Sequence, residues 1–118
     1  MKKKLEIIAE AGVNHCGKLA LGKKLCLAAK KSGADYVKFQ IFKAENLVLK
    51  NTKLAKYQKN KKFKTQFELL KNLELKFNDF LIIKNYCKKI GIKFLCTPFD
   101  ISSANFLKSI GIKNFKIS

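Results

Sequence analysis

The chain has no arginine. All 26 of its basic residues are lysine, set against 8 acidic ones, for a net charge of +18. So high a charge invites a nucleic-acid reading, because cationic side chains displace the counterions held by phosphates. The missing residue argues the other way. Arginine carries the planar fork that grips phosphate and guanine with paired hydrogen bonds, and dedicated readers of nucleic acid normally use it. A lysine-coated surface on the product of an AT-rich genome is the expected explanation, and a small basic nucleic-acid-binding protein is the alternative. The four cysteines, Cys16, Cys26, Cys87 and Cys96, contain no CxxC spacing, which argues against zinc-ribbon and thioredoxin-type motifs. Three of them lie in apolar runs, where a reduced thiol packs as a small hydrophobe, so a reducing cytoplasm is the expected location. The single histidine, His15, has no cluster of carboxylates near it in sequence and makes no metal centre by itself. Met1–Lys4 is basic, but the apolar run that follows is short and broken by Glu6 and Glu10. Neither a signal peptide nor a membrane span is expected from it.

What is present is enough for a core. Apolar residues make up 47% of the 118, well above a disordered composition. The length suits one domain or part of one, whereas a closed eight-stranded barrel usually takes about 250 residues. A unit recurs along the chain: an amphipathic stretch, lysines, a glycine, then a short apolar run. Its copies are CLAAKKSGADYVKFQ, NYCKKIGIKFLCTPF and NFLKSIGIKNFKIS. Gly33, Gly91 and Gly111 stand where a helix should end, since glycine enters the left-handed conformation without steric cost. Strands are expected at Leu5–Ala11, Tyr36–Ile41, Ile92–Cys96 and Asn114–Ser118. Helices are expected at Ala20–Lys31, Gln66–Leu73, Asp79–Ile90 and Ser103–Ile110, with Asn78 and Ser102 as N-caps. Strand alternating with helix predicts an α/β fold with about four parallel strands and helices outside them. The connection Phe42–Thr65 is long and weakly periodic, which marks it as functional or disordered.

In parallel sheets function gathers at the carboxyl ends of the strands. The first strand leads into IAEAGVNHCG, with Glu10, Asn14 and His15. In apolar surroundings Glu10 would serve as an acid or base; the other reading is a strand-edge carboxylate paired with a lysine. Along YVKFQIF, Tyr36, Lys38 and Gln40 share one face, and Val37, Phe39 and Ile41 share the other. A lysine and a glutamine on a covered strand cost free energy unless they bind something, and an anionic ligand would offset that. Thr97 offers a hydroxyl at the end of IKFLCTPFD, or else marks a simple strand-to-helix turn, and Pro98 should end that strand. Lys116 and Ser118 share a face of the fourth.

Together AEAGVNHCG, VKFQIFKAENL, LCTPFD and FKIS, in that order, resemble the N-acetylneuraminate (sialic acid) synthase family, which includes the legionaminic and pseudaminic acid synthases. YQK near Tyr57 and LEL at Leu73–Leu75 fit the same resemblance. The resemblance implies the N-terminal part of a TIM (β/α)8 barrel. It also implies condensation of phosphoenolpyruvate with an acylamino sugar, N-acetylmannosamine or a relative, giving a nonulosonic acid and phosphate. Glu10 then matches a catalytic carboxylate, and Lys38, Gln40, Thr97 and Lys116 match substrate contacts, with Asn14 and His15 as support. Cys16 stands where many members have a polar amide. A divalent metal, manganese or magnesium, is implied, its ligands lying beyond Ser118 with the rest of the barrel and an antifreeze-like domain. A homodimer is implied for the full-length family. On this reading the chain alone is expected to be inactive; the alternative is a non-catalytic remnant or a half-barrel that needs a partner chain.

Overall fold

The computed structural model describes residues 4–59 and 62–118. The first three residues of the basic start, and Asn60 and Lys61 in the long connection, lie outside the described residues. The elements run β1 (Ile8–Gly12), α1 (Leu19–Lys31), β2 (Tyr36–Ile41), α2 (Ala44–Leu47), a 3-10 turn (Lys56–Gln58), α3 (Gln66–Leu73), α4 (Phe77–Ile90), β3 (Lys93–Pro98) and α5 (Ile101–Ser109). The strands form one parallel sheet in the order β1-β2-β3. Glu10 lies level with Lys38 and Leu95, and Gln40 with Thr97.

Burial alternates along β2, as a period of two requires. Val37, Phe39 and Ile41 are fully buried. They pack with Cys26 and Ala29 of α1, Phe80, Ile83 and Cys87 of α4, and Leu107 of α5. Consecutive crossovers of the same hand put the helices on one side of the sheet. The side that bears Lys38 and Gln40 is the opposite one.

The helix ends confirm the expected glycine positions: φ is +80° at Gly33, +77° at Gly91 and +84° at Gly111. Helix starts differ. The cap of α5 is Asp100, not Ser102, because the Asp100 carboxylate takes the Ser103 N–H at 2.8 Å while the Ser102 hydroxyl donates to that carboxylate at 2.6 Å. Asn78 does not cap α4, which already includes Phe77; the Phe77 ring stacks on Phe106 at 4.7 Å and draws that turn into the helix. Strand limits also shift. β1 begins at Ile8 rather than Leu5, since the Asp35 carboxylate accepts the Ile7 N–H at 2.8 Å and removes it from any ladder.

The expected fourth strand at Asn114–Ser118 is not formed. Its link to the sheet is one hydrogen bond, from the Lys116 N–H to the Cys96 carbonyl at 3.2 Å. Phe115 is 37% and Ile117 76% exposed, so no buried face pins a register there. The described residues of the connection Phe42–Thr65 are not without secondary structure. They hold α2, the 3-10 turn and a bridge between Lys53 and Thr65, and Thr65 then caps α3 through the Glu68 N–H. No helix among the described residues is long and apolar enough to cross a membrane.

Candidate functional site

The register of β1 skips between Glu10 and Gly12, a bulge that re-aims the side chains beside it. Gly12 has φ +56°, and a Cβ there would meet the Glu10 Oε1 at 3.0 Å and the Gln40 Nε2 at 3.8 Å. The carboxylate of β1 and the amide of β2 thus converge over a bare stretch of backbone. Lys38 completes the group, its ammonium paired with the Glu10 carboxylate. The Lys38 side chain is only 12% exposed and that of Glu10 is 50%. Glu10 is therefore a half-exposed carboxylate paired with Lys38, not one sheathed in the apolar side chains that the acid–base reading supposed.

Thr97 lies level with Gln40 on the neighbouring strand. Its hydroxyl is buried and has no hydrogen-bond partner. Such a group costs roughly 1–3 kcal/mol of desolvation unless something answers it, and a ligand oxygen at this face would do so. Glu10, Lys38, Gln40 and Thr97 are thus brought to one face of the sheet. Lys116 is exposed and joins through its main chain, at the residue preceding Thr97. Tyr36 sits at the amino end of β2, its ring 4.8 Å from the Lys93 ammonium, away from the group.

Asn14 is exposed on the turn after β1. His15 is buried, and its ring stacks on Phe39, on the helix-covered side of the sheet, at 6.2 Å. The Gly17 N–H donates to its Nδ1 at 3.0 Å, which assigns the ring proton to Nε2. Burial lowers its pKa, so the neutral ring is favoured. His15 therefore supports the β1–α1 turn from beneath. That turn also presses on the C-terminal end of α3, where a Cβ at Gly17 would stand 2.3 Å from the Asn72 carbonyl oxygen.

Two carboxylates that motif reading left without a role hold the strand ends together. Asp100 accepts the Lys43 N–H at 2.9 Å as well as the Ser102 and Ser103 hydroxyls and the Ser103 N–H. Burial works against its charge, but the hydrogen bonds from Ser102, Lys43 and Ser103 outweigh it and hold the carboxyl below its ordinary range. Glu74, in the LEL motif, accepts the Ala44 N–H at 2.9 Å and the Lys43 ammonium at 3.3 Å. The first residues after β2 are thus clamped from two other connections. The only hints in sequence were an Asp before two serines and an acid between two leucines.

Over the strand ends lies a cavity of about 210 Å3, walled by Val13, Phe42, Leu70, Leu73 and Phe99, with Gln40 at its edge. A larger hollow of about 610 Å3 beside Phe63, Phe67 and Lys71 contains none of the strand-end residues. Among the described residues no three His, Cys, Asp or Glu side chains stand close enough to hold a metal ion. The donor set described does not fit a divalent ion.

Residues 25–118 match the NeuB family. The chain is 52% identical over 113 residues to the N,N'-diacetyllegionaminic acid synthase of Legionella pneumophila, covering 94% of this chain and 32% of that protein. To the synthase of that name from Campylobacter jejuni it is 47% identical, covering 99% and 35%. In structure it matches the N-acetylneuraminic acid (sialic acid) synthetase of Leptospira borgpetersenii, solved with citrate, with a TM-score of 0.80 at 34% identity, over 98% of this chain and 36% of that one. The chain spans about a third of the length of these relatives.

Proposed function

The chain belongs to the NeuB family, and from that premise we propose that it forms the phosphoenolpyruvate-binding first part of a TIM-barrel synthase. The reaction proposed joins C3 of phosphoenolpyruvate to the aldehyde carbon of an open-chain 2-acylamino sugar. Water adds at C2 and phosphate leaves, giving a nonulosonic acid. The names of the two synthases matched at 52% and 47% identity support an acylamino acceptor.

The observation that carries this reading is the polar group on the helix-free side of β2. Lys38, held close to the sheet, is a fixed cation for the phosphate or carboxylate of phosphoenolpyruvate, and the unpartnered Thr97 hydroxyl is a donor one strand away. Gln40 supplies an amide that both donates and accepts. Without ligand, Glu10 is the counter-ion of Lys38. An arriving substrate anion takes over that cation and leaves Glu10 to move a proton at the acceptor's carbonyl oxygen. Lys116 adds a second cation, arriving by way of β3.

A divalent ion, manganese or magnesium, would polarise the acceptor carbonyl when bound. Its ligands are proposed to lie outside these residues, with the remaining strands and an antifreeze-like domain that joins a partner in a homodimer. A cytoplasmic setting, where both substrates are small soluble anions or sugars, belongs to the same proposal. Turnover then needs more than this chain. Phosphate release from phosphoenolpyruvate plus N-acetylmannosamine with manganese should be absent for the chain alone. It should return when the remaining two thirds of the Legionella relative is fused after Ser118. Steady release by the chain alone would overturn the partition of the site; a fusion that folds but releases no phosphate would overturn the proposed activity.

A further inference from the structure

α1 and α4 pack side by side in a constant register. Gly22 lies against Ile83, where a Cβ on the glycine would meet Cδ1 at 3.0 Å. One turn on, the Cys87 thiol donates to the Cys26 sulfur at 3.5 Å. A turn further, the Lys30 ammonium donates to the Gly91 carbonyl at 2.8 Å. The last two pairs are each 61 residues apart, and Gly22 and Ile83 keep the same offset. The helices thus advance together and hold two sulfurs face to face, with Gly22 admitting Ile83 and keeping the backbones near. Both sulfurs are buried, and sulfurs already in contact need only a small approach to reach bonding distance. The Cys87 S–H holds the Cys26 thiol below its ordinary range against the opposing effect of burial, whereas burial pushes the Cys96 thiol up. Cys87 also lines a hollow of about 410 Å3, with Lys84, Lys88, Ile92, Phe94 and Ile112. The hollow lies beside the amino end of β3, at the far end of that strand from Thr97. A hydroperoxide is far smaller than this space.

We infer that Cys26 and Cys87 form a redox site, oxidised by a hydroperoxide to a reversible disulfide that locks α1 to α4. With hydrogen peroxide, the Cys26 sulfur attacks one oxygen and the O–O bond breaks. Cys26 becomes a sulfenic acid, and its thiol proton leaves with the departing oxygen as water. The Cys87 sulfur then displaces the hydroxyl from Cys26, forming the S–S bond, and the Cys87 proton leaves with that hydroxyl as a second water. The two thiols lose two electrons and the peroxide gains them. This site is separate from the Lys38 face and does not depend on the synthase reading.

Hydrogen peroxide applied to the folded full chain, then alkylation in denaturant, digestion and mass spectrometry, tests the site. Cys16, the exposed cysteine, reports when the dose of oxidant suffices. At that dose the peptides bearing Cys26 and Cys87 should appear joined, two hydrogens lighter than their sum, with Cys96 still alkylated. Dithiothreitol should return both thiols. The thermal midpoint of the oxidised chain should rise by about 5 °C or more, because the bond closes a long loop in the unfolded state. Oxidation in urea should give mixed pairings instead. Cys26 and Cys87 left free after Cys16 has reacted, or joined to other cysteines in the folded chain, overturns the inference. So does a midpoint that the linkage leaves unmoved or lowers, or an equal yield of the same linkage in urea.

Discussion

On one face of β2, Val37, Phe39 and Ile41 disappear beneath α1, α4 and α5; on the other, one residue away in each case, Lys38 and Gln40 stand beside Glu10 and Thr97. The first face is mostly apolar, its one orphaned polar atom among the described residues being the Nε2 of His15. Its neighbours are apolar groups and thiols apart from the His15 ring stacked on Phe39, and its contribution is the burial that holds sheet to helices. The second face is unsaturated: a carboxylate and an ammonium answer each other for want of anything else, and a buried hydroxyl answers nothing. A parallel strand is normally covered on both sides. The contrast shows that the polar face spends stability where the apolar face supplies it, which is the condition expected of a binding surface.

The comparison breaks most visibly if substitutions on the two faces act alike. Phe39→Ala should cost about 3–5 kcal/mol in denaturant unfolding, as for any large buried aromatic, and His15, stacked on that ring, should loosen with it. Lys38→Met should shift unfolding by less than about 1 kcal/mol, because its partner Glu10 is half exposed and regains water. The same change should weaken phosphoenolpyruvate binding about ten- to a hundredfold, or about 1.4–2.8 kcal/mol. Thr97→Val should leave stability unchanged or raise it by up to ~1 kcal/mol, since it removes an unanswered buried hydroxyl. Its binding loss, read by calorimetric titration, should be severalfold and smaller than that of Lys38→Met.

The smallest effect is one of pH. Burial sets the folded pKa of His15 below its ordinary value of 6.5. The unfolded chain therefore binds the proton first as pH falls, and the contribution of the neutral ring is full above 6.5 and lost below it. Urea midpoints measured from pH 7.5 to 5.5 should fall across that window, and His15→Asn should flatten this part of the profile. A steeper fall at still lower pH belongs to Asp100, whose depressed carboxyl stabilises the fold above its unfolded pKa and stops doing so as it protonates.

Much of the architecture was legible because it is local. The helix–glycine–strand unit placed α1, α4, α5, β2, β3 and the three glycine stops, and period-two alternation separated Lys38 and Gln40 from Phe39. What escaped is non-local. Asp100 caps α5 and grips Lys43, 57 residues away in the chain, and Glu74 reaches Ala44 across 30; no window along the sequence joins those pairs. The segment Asn114–Ser118 carries a strand's pattern, yet pattern alone does not supply a neighbour to bury Phe115 and Ile117. The cavity is assembled from the turn after β1, the end of β2, α2, the 3-10 turn, α3 and the residue after β3. Its apolar character was invisible until those pieces met. Glu10 was legible as a candidate, but its pairing with Lys38 depends on the register of two strands.

The central claim is that the helix-free face of β2 is an anion cradle built around Lys38. Isothermal titration of phosphoenolpyruvate into the chain and into Lys38→Met, at low and at high salt, tests it most directly. Binding by the unmodified chain that weakens with salt, and falls at least tenfold in a Lys38→Met variant of unchanged unfolding midpoint, is the result predicted. Equal affinity in the two proteins, or no binding to either, would contradict it.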